Sequence, residues 1–213
     1  MVKFHGSSFC AATGVSDGTF EKLSLYMEKL LKWQARFNLV GSSTLKDAWR
    51  RHMFDSSQIF GHIDDVGGRV LDLGSGAGFP GLVLSIMGLP NVVLLESNEK
   101  KCSFLREVIR ETACSAEVFN GRIEDYPEFQ SAKYITSRAL APLGDLLLMS
   151  YPLLASGGKC LFLKGHRYEE ELTPAKKKWS MEVSIHPSNT NDVYLKRGPS
   201  GVLIAIRDLS PSE

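Results

Sequence analysis

The sequence predicts an α/β protein: a mostly parallel sheet covered by helices, closed by an antiparallel C-terminal hairpin and preceded by an N-terminal helical cap. Three observations lead there. From Arg69 onward, short apolar or β-branched runs (RVLDL, NVVLLE, AEVFN, KYITS and GKCLFLK) alternate with helical stretches, as parallel strands buried on both faces do. The tail then changes habit, with MEVSIHP, DVYLKR and VLIAIR in succession and GPSG between the last two, which is a hairpin signal. Before residue 66 the apolar residues instead follow helical spacing. The expected division is a cap over residues 1–65 and a sheet domain over residues 66–213.

Taken in order, Phe20, Leu23, Met27, Leu30 and Leu31 recur every three or four residues, which puts them on one face of a helix from Asp17 to about Gln34. Ser16 and Asp17 supply capping chemistry at its start, and the turn residues of Asn38 to Ser43 follow its end. A second helix is expected over Leu45 to Phe60, after which GHIDDVGG resets the pattern. Beyond the second strand, Cys102, Leu105, Val108 and Ile109 share a face of a helix from Asn98 to Thr112.

Composition bounds the function. A chain of 213 residues, 43% apolar, buries one good core and not two full domains. Cysteines 10, 102, 114 and 160 form no C-x-x-C pair and no zinc spacing, so they read as free thiols in a reducing compartment. No apolar run reaches the roughly 18 residues of a membrane span. The start MVKFHGSSFC is too polar for a signal peptide, and a cytoplasmic protein is expected. The net charge of +1 argues against a broad electrostatic grip on nucleic acid but leaves room for local patches. Such groups are present at Lys46, Arg50 and Arg51, at Lys100 and Lys101, and at Lys164, His166 and Arg167. A further group, Lys176 to Lys178, has Glu169 to Glu171 as its counterweight. No histidine pair has metal-ligand spacing, so no metal is expected.

The stretch VLDLGSGAGFPG, residues 70–81, carries the chemistry. From Gly76 it satisfies the dinucleotide pattern G-x-G-x-x-G; from Asp72 it reads as the D-x-G-x-G-x-G loop of S-adenosylmethionine enzymes. Either way the glycines allow a tight turn and close approach of backbone to ligand. Charge separates the two. Asp72 would repel a pyrophosphate but suits a ligand bearing a sulfonium and an ammonium. Pro80, where the next helix should begin, removes an amide that a pyrophosphate would want. Glu96, closing the second strand, bridges ribose hydroxyls in either family and so does not discriminate.

Beyond the loop the residues become particular. DLGSGAGFPG, LLESNEKKCSFL, NGRIEDY, SRALAPL and LKG, preceded by LLKWQARFNLV and RHMFDS, together resemble the ribosomal small-subunit methyltransferase G family, also called glucose-inhibited division protein B. The resemblance runs in order from about Leu23 to the final strand. It implies a Rossmann-like class I methyltransferase with a seven-stranded sheet that moves a methyl group from S-adenosylmethionine to N7 of a guanine in the 530 loop of 16S ribosomal RNA. It further implies a monomeric cytoplasmic enzyme whose partner is that RNA, in the small ribosomal subunit or an assembly intermediate.

By the same resemblance, Gly74, Gly76 and Gly78 line the methionine end of the cofactor beside Phe79, with Asp72 in the same loop. Glu96 takes the ribose; Ile123 and Glu124 flank the adenine. Arg138, followed by Ala139 at the carboxyl edge of the fourth strand, is the catalytic candidate and contacts guanine, phosphate or the cofactor carboxylate. Asn38, His52, Asp55, Ser56, Lys164 and Gly165 are the RNA-side candidates. Blander roles stand beside these: core packing for Phe79, a surface carboxylate for Glu124, a structural salt bridge for Arg138, a strand-end lysine for Lys164. His52, Asp55 and Ser56 also fit a local hydrogen-bonded cluster. Two departures from the family pattern are Val40, where Asn-Leu-Thr is usual over residues 38–40, and Gln34, where asparagine is usual.

SRAL contains neither the D/N/S-P-P-Y/F/W sequence of amine methylation nor the cysteine of cytosine C5 chemistry. Guanine N7 needs neither: it carries a lone pair and no proton, so placement in line with the methyl group suffices. The rival readings are a small-molecule S-adenosylmethionine methyltransferase, an NAD-binding oxidoreductase, and a ribosome-binding protein with a vestigial cofactor site.

Overall fold

The computed structural model describes residues 4–127, 129, 131–190 and 201–212. The predicted strand DVYLKR and most of GPSG lie outside them. Helix α1 spans Gly6–Thr13 and ends at Gly14, whose left-handed backbone lets its N–H reach the Cys10 carbonyl. At eight residues this helix is too short for a helical period to register in the sequence pattern. It is held by Phe9, buried against the rings of Trp49 and Phe54.

Helix α2 spans Asp17–Gln34, capped by Ser16 Oγ accepting from Thr19 N. Leu23, Met27 and Leu30 are buried as the periodicity requires, and Tyr26 joins them, whereas Leu31 is half exposed. The helix expected over Leu45 to Phe60 is a broken stretch. A 3₁₀ turn, Ser42–Asp47, leads into a wide π turn, Trp49–Phe54, then α3, Asp55–Ser57, and a 3₁₀ turn, Gln58–His62. The widening shows in the Asp55 amide, which reaches back to the Arg50 carbonyl five residues away.

The sheet follows: β1 (Val70–Leu73), α4 (Gly81–Ile86), β2 (Val92–Glu96), α5 (Glu99–Thr112), β3 (Glu117–Asn120) and β4 (Ala132–Arg138). After these come α6 (Leu143–Ser150), β5 (Leu154–Lys164), α7 (Tyr168–Ala175), β6 (Trp179–Pro187) and β7 (Val202–Pro211). Asn98 caps α5 by accepting from Lys101 N. The strand order is β3-β2-β1-β4-β5-β7-β6. The first five are parallel, and β7 runs antiparallel between β5 and β6, so the antiparallel closure is made by the two C-terminal strands described here.

Two apolar cores flank the sheet. One joins residues of α1, α2 and the broken stretch to those of α4 and α5, and the other holds α6 and α7. The N-terminal helices therefore share a core with the sheet. All four cysteines are free thiols. Among the described residues no helix is long and apolar enough to cross a membrane.

Candidate active site

Parallel strands direct their carboxyl ends to one edge, where open α/β sheets bind ligands. Here that edge carries Gly74 after β1, Glu96 at the end of β2, Arg138 at the end of β4 and Lys164 at the end of β5. A cavity of about 580 Å³ opens there. Its floor includes Gly74, Ser75, Gly76 and Phe79 of the loop; Arg138, Ala139, Lys164 and Gly165 border it from the strand ends; and the broken helical stretch closes it with Thr44, Arg51, His52 and Asp55.

The glycine loop turns through three left-handed residues, Gly74, Gly76 and Gly78. Tyr26, reaching up from α2, donates to the Ala77 carbonyl, and the Gly76 amide donates to Glu96 Oε2 at 2.9 Å. A Cβ on Gly76 would meet nothing nearer than the Gly74 carbonyl at 3.8 Å, so the space above the turn is open to a ligand.

Asp72 does not face the cavity. It is fully buried under the loop, where Oδ1 accepts from Thr136 Oγ1 at 2.8 Å and Oδ2 from the Gly81 amide at 3.1 Å. Its carboxylate ties α4 to β1 and is not a direct contact for a cationic ligand. The sequence shows the charge but not the burial. Burial pushes its pKa up to about 6, against hydrogen bonds that pull it down. Because this folded value lies above the ordinary 3.8, the stabilisation linked to Asp72 is complete below about pH 4 and is lost as pH rises through 6. His52 works the other way: burial, with Arg138 beside it, lowers it to about 3 from 6.5, so its contribution is present above pH 6.5 and falls as the solution is acidified. Comparison with Asp72→Asn isolates the first effect. We expect the variant to gain stability relative to the parent by roughly 2–3 kcal/mol between pH 4 and pH 7, read from urea midpoints; a flat difference would show that Asp72 does not titrate there.

Glu96 is nearly buried, its two oxygens taking the Gly76 and Asn98 amides. Each oxygen keeps a second lone pair. Glu96, Gly78, Ile123 and Glu124 are not among the residues bordering the cavity. Ile123 packs against the core beside α6 and α7, and Glu124 is exposed on the short turn Ile123–Asp125.

Arg138 is the hub of the opposite wall. Nη1 donates to the Arg51 carbonyl at 2.7 Å, Nη2 meets His52 Nδ1 at 2.6 Å, and the Asp55 carboxylate lies 3.7 Å away. The guanidinium carbon sits 5.0 Å from the centroid of the Phe79 ring, which also stacks on His52 and Tyr26. Phe79 is thus both core and cavity floor. Burial raises the Asp55 pKa while Arg138 opposes it; Ser188 Oγ and Gln58 Nε2 each donate to Asp55 Oδ1 at 2.9 Å.

Three RNA-side candidates are buried, engaged internally or turned away from the cavity. Ser56 is fully buried, and its hydroxyl has no hydrogen-bond partner among the described residues; helical spacing put it with His52 and Asp55, but the wide turn rotates it inward. Lys164 is engaged internally, 2.6 Å from Glu171 Oε2 and 2.9 Å from the Ala141 carbonyl. That carboxylate also accepts from the Leu143 amide at the start of α6, so the charge of Lys164 is matched before any phosphate arrives. Asn38 is exposed away from the cavity lining. Gln34 holds this loop, accepting from the Leu39 and Val40 amides and donating to the Val40 carbonyl.

Sequence reasoning overlooked Tyr26, Thr44, Gln58, Ser188 and Glu171. Only Tyr26 left a signal, a polar-tipped ring at an apolar helix position.

Comparison with known proteins identifies the family of the chain. A family model described as rRNA small subunit methyltransferase G matches residues 19–195. The chain is 50% identical to the ribosomal RNA small subunit methyltransferase G of Paramagnetospirillum magneticum over 93% of either chain. It is 46% identical to that of Rhodospirillum centenum, over 98% of this chain and 93% of the relative. In fold it is similar to TYW2 of P. horikoshii, solved with MeSAdo (TM-score 0.59, 14% identity, 84% of this chain and 66% of the other). A second likeness is an S-adenosylmethionine dependent methyltransferase of Mesorhizobium loti (TM-score 0.54, 15% identity, 70% and 95%). With the family model covering most of the chain and relatives at this identity over nearly all of it, the protein belongs to the rRNA small subunit methyltransferase G family.

Proposed function

We propose that the protein transfers a methyl group from S-adenosylmethionine to N7 of a guanine in the 530 loop of 16S ribosomal RNA, acting as a cytoplasmic monomer on the small subunit or its precursor. S-adenosylmethionine, when bound, supplies an electrophilic methyl group on sulfur. The turn from Gly74 to Gly78, open above Gly76, would take its methionine end, Glu96 would use its remaining lone pairs on the ribose hydroxyls, and Ile123 with Glu124 would flank the adenine. The cap, residues 1–65, would shape the RNA side of the site. A splayed, single-stranded guanine suits such a cavity, because A-form helices hide the base edges.

One observation carries the choice of acceptor. Among the described residues, the basic groups nearest the catalytic candidate are already engaged: Asp55 Oδ1 accepts from Gln58 and Ser188, its Oδ2 is ion-paired with Arg138 at 3.7 Å, and His52 uses Nδ1 to accept from Arg138. Methylation of an exocyclic amine or a hydroxyl requires removal of a proton; N7 does not. The task left to this chain is placement, with Arg138 fixing the reacting partner against the loop.

The test is methyl transfer from labelled S-adenosylmethionine to small subunits lacking the modification, mapped by borohydride and aniline cleavage at N7-methylguanine. A single cleavage in the 530 loop is expected. Transfer to another atom or site would overturn the acceptor assignment, and saturable cofactor binding with no transfer to RNA would return the small-molecule methyltransferase to first place.

A further inference from the structure

Arg138 can only donate hydrogen bonds, which determines the state of its partner. Its Nη2 stands 2.6 Å from His52 Nδ1, so Nδ1 carries a lone pair and the ring proton is on Nε2. That nitrogen lies 2.8 Å from Thr44 Oγ1, and Thr44 Oγ1 in turn lies 2.6 Å from the Gly41 carbonyl. A carbonyl only accepts, so the Thr44 hydrogen points to Gly41 and its lone pair faces His52. The series therefore has one polarity: His52 Nε2–H to Thr44, Thr44 O–H to Gly41, Arg138 N–H to His52 Nδ1. His52 is buried and stacked 4.9 Å from Phe79, so its ring cannot turn aside freely. The charged groups facing it are Arg138 and Arg51, both cations, and a proton on Nδ1 would oppose donor to donor.

We infer that Thr44 is a positioning residue of the methyl-transfer reaction: by accepting from Nε2 it holds His52 as the tautomer that receives Arg138, and so fixes the guanidinium at the cavity. This deepens the reading given above and rests on it for the identity of the reaction. Thr44 itself borders the cavity that Arg138 and His52 line.

The experiment compares Thr44→Val, which keeps the shape and removes the hydroxyl, with Thr44→Ser, which keeps the hydroxyl. Two-bond ¹H–¹⁵N correlation spectra of the full chain distinguish a protonated from an unprotonated ring nitrogen. The parent and Thr44→Ser should show His52 in the Nε2–H form alone; Thr44→Val, which leaves that buried N–H without an acceptor and so works against the preference set by Arg138, should show a mixture of forms. In transfer assays on small subunits, Thr44→Val should lose ~10- to 100-fold in kcat, with KM for S-adenosylmethionine within about twofold of the parent, and Thr44→Ser should recover most of the rate. An unchanged tautomer in Thr44→Val, or a serine variant as slow as the valine one, would overturn the inference. Absence of transfer by the parent would instead overturn the reaction, while the spectra still decide whether Thr44 sets the His52 tautomer.

Discussion

Arg138→Ala should cut methyl transfer by ~10²-fold or more, because the side chain aims a reactant and a displacement of order 1 Å at such a site is already that costly. The structure adds a second loss. Removing the guanidinium leaves the Arg51 carbonyl, His52 Nδ1 and the Asp55 carboxylate without the donor that joins them. Three elements then lose their common tie: the end of β4, the wide turn Trp49–Phe54, and Phe79 beneath the guanidinium. Arg138→Lys should fail nearly as badly, since a single ammonium cannot bond the carbonyl and the imidazole in the fork geometry of a guanidinium. His52 provides an internal gauge: Arg138 is among the causes of its low pKa, so in Arg138→Ala it should titrate closer to the ordinary 6.5. Single-turnover rates, S-adenosylmethionine affinity and the His52 titration together check this. A variant with near-normal rate and an unmoved titration would reduce Arg138 to a strut of the fold.

The same residues show what a sequence can and cannot disclose. Helices α2 and α5 and the parallel strands were legible because burial on a regular element imposes a period, and a cap such as Ser16 or Asn98 marks where it starts. The stretch after α2 carries an equally helical pattern, yet it is broken into four pieces. There the Arg51 carbonyl serves a guanidinium from 87 residues away in sequence, and no local pattern encodes that demand. The family resemblance nominates Arg138, His52 and Asp55, and the fold does bring them together. Burial, by contrast, is a property of the whole molecule. It converts Asp72 from a ligand contact into a tie between strand and helix, turns Ser56 into the interior, and leaves Lys164 matched by Glu171, which on sequence alone belonged to a solvated acidic run.

Gly81 shows how closely that tie is drawn, and Gly81→Ala should be among the most destabilising single changes in the chain. The last glycine of GAGFPG begins α4, and nothing in its backbone angles requires glycine; the requirement is contact. A Cβ there would lie 2.6 Å from Asp72 Cβ and from Leu94 Cδ2, and 2.8 Å from Asp72 Oδ2. Asp72 Cβ is fixed to β1, which is paired on both sides, so relief must come from the helix moving away. That movement stretches the bond from the Gly81 amide to Asp72 and leaves a fully buried carboxylate with one partner fewer. Overpacking and the weakened bond together suggest about 2–4 kcal/mol, or a fall in Tm of roughly 5–15 °C for a chain of this size. Gly76→Ala is the informative contrast. It places a methyl group in open space at a left-handed position, so its cost to stability should stay at about 1–2 kcal/mol, while the methyl intrudes where the cofactor is proposed to lie. Thermal unfolding and S-adenosylmethionine titration of both variants separate the two uses of glycine: loss of stability should follow Gly81 and loss of ligand affinity Gly76. If Gly81→Ala instead melts with the parent, α4 has room to shift, and the glycine loop is less rigidly seated on β1 than these distances require.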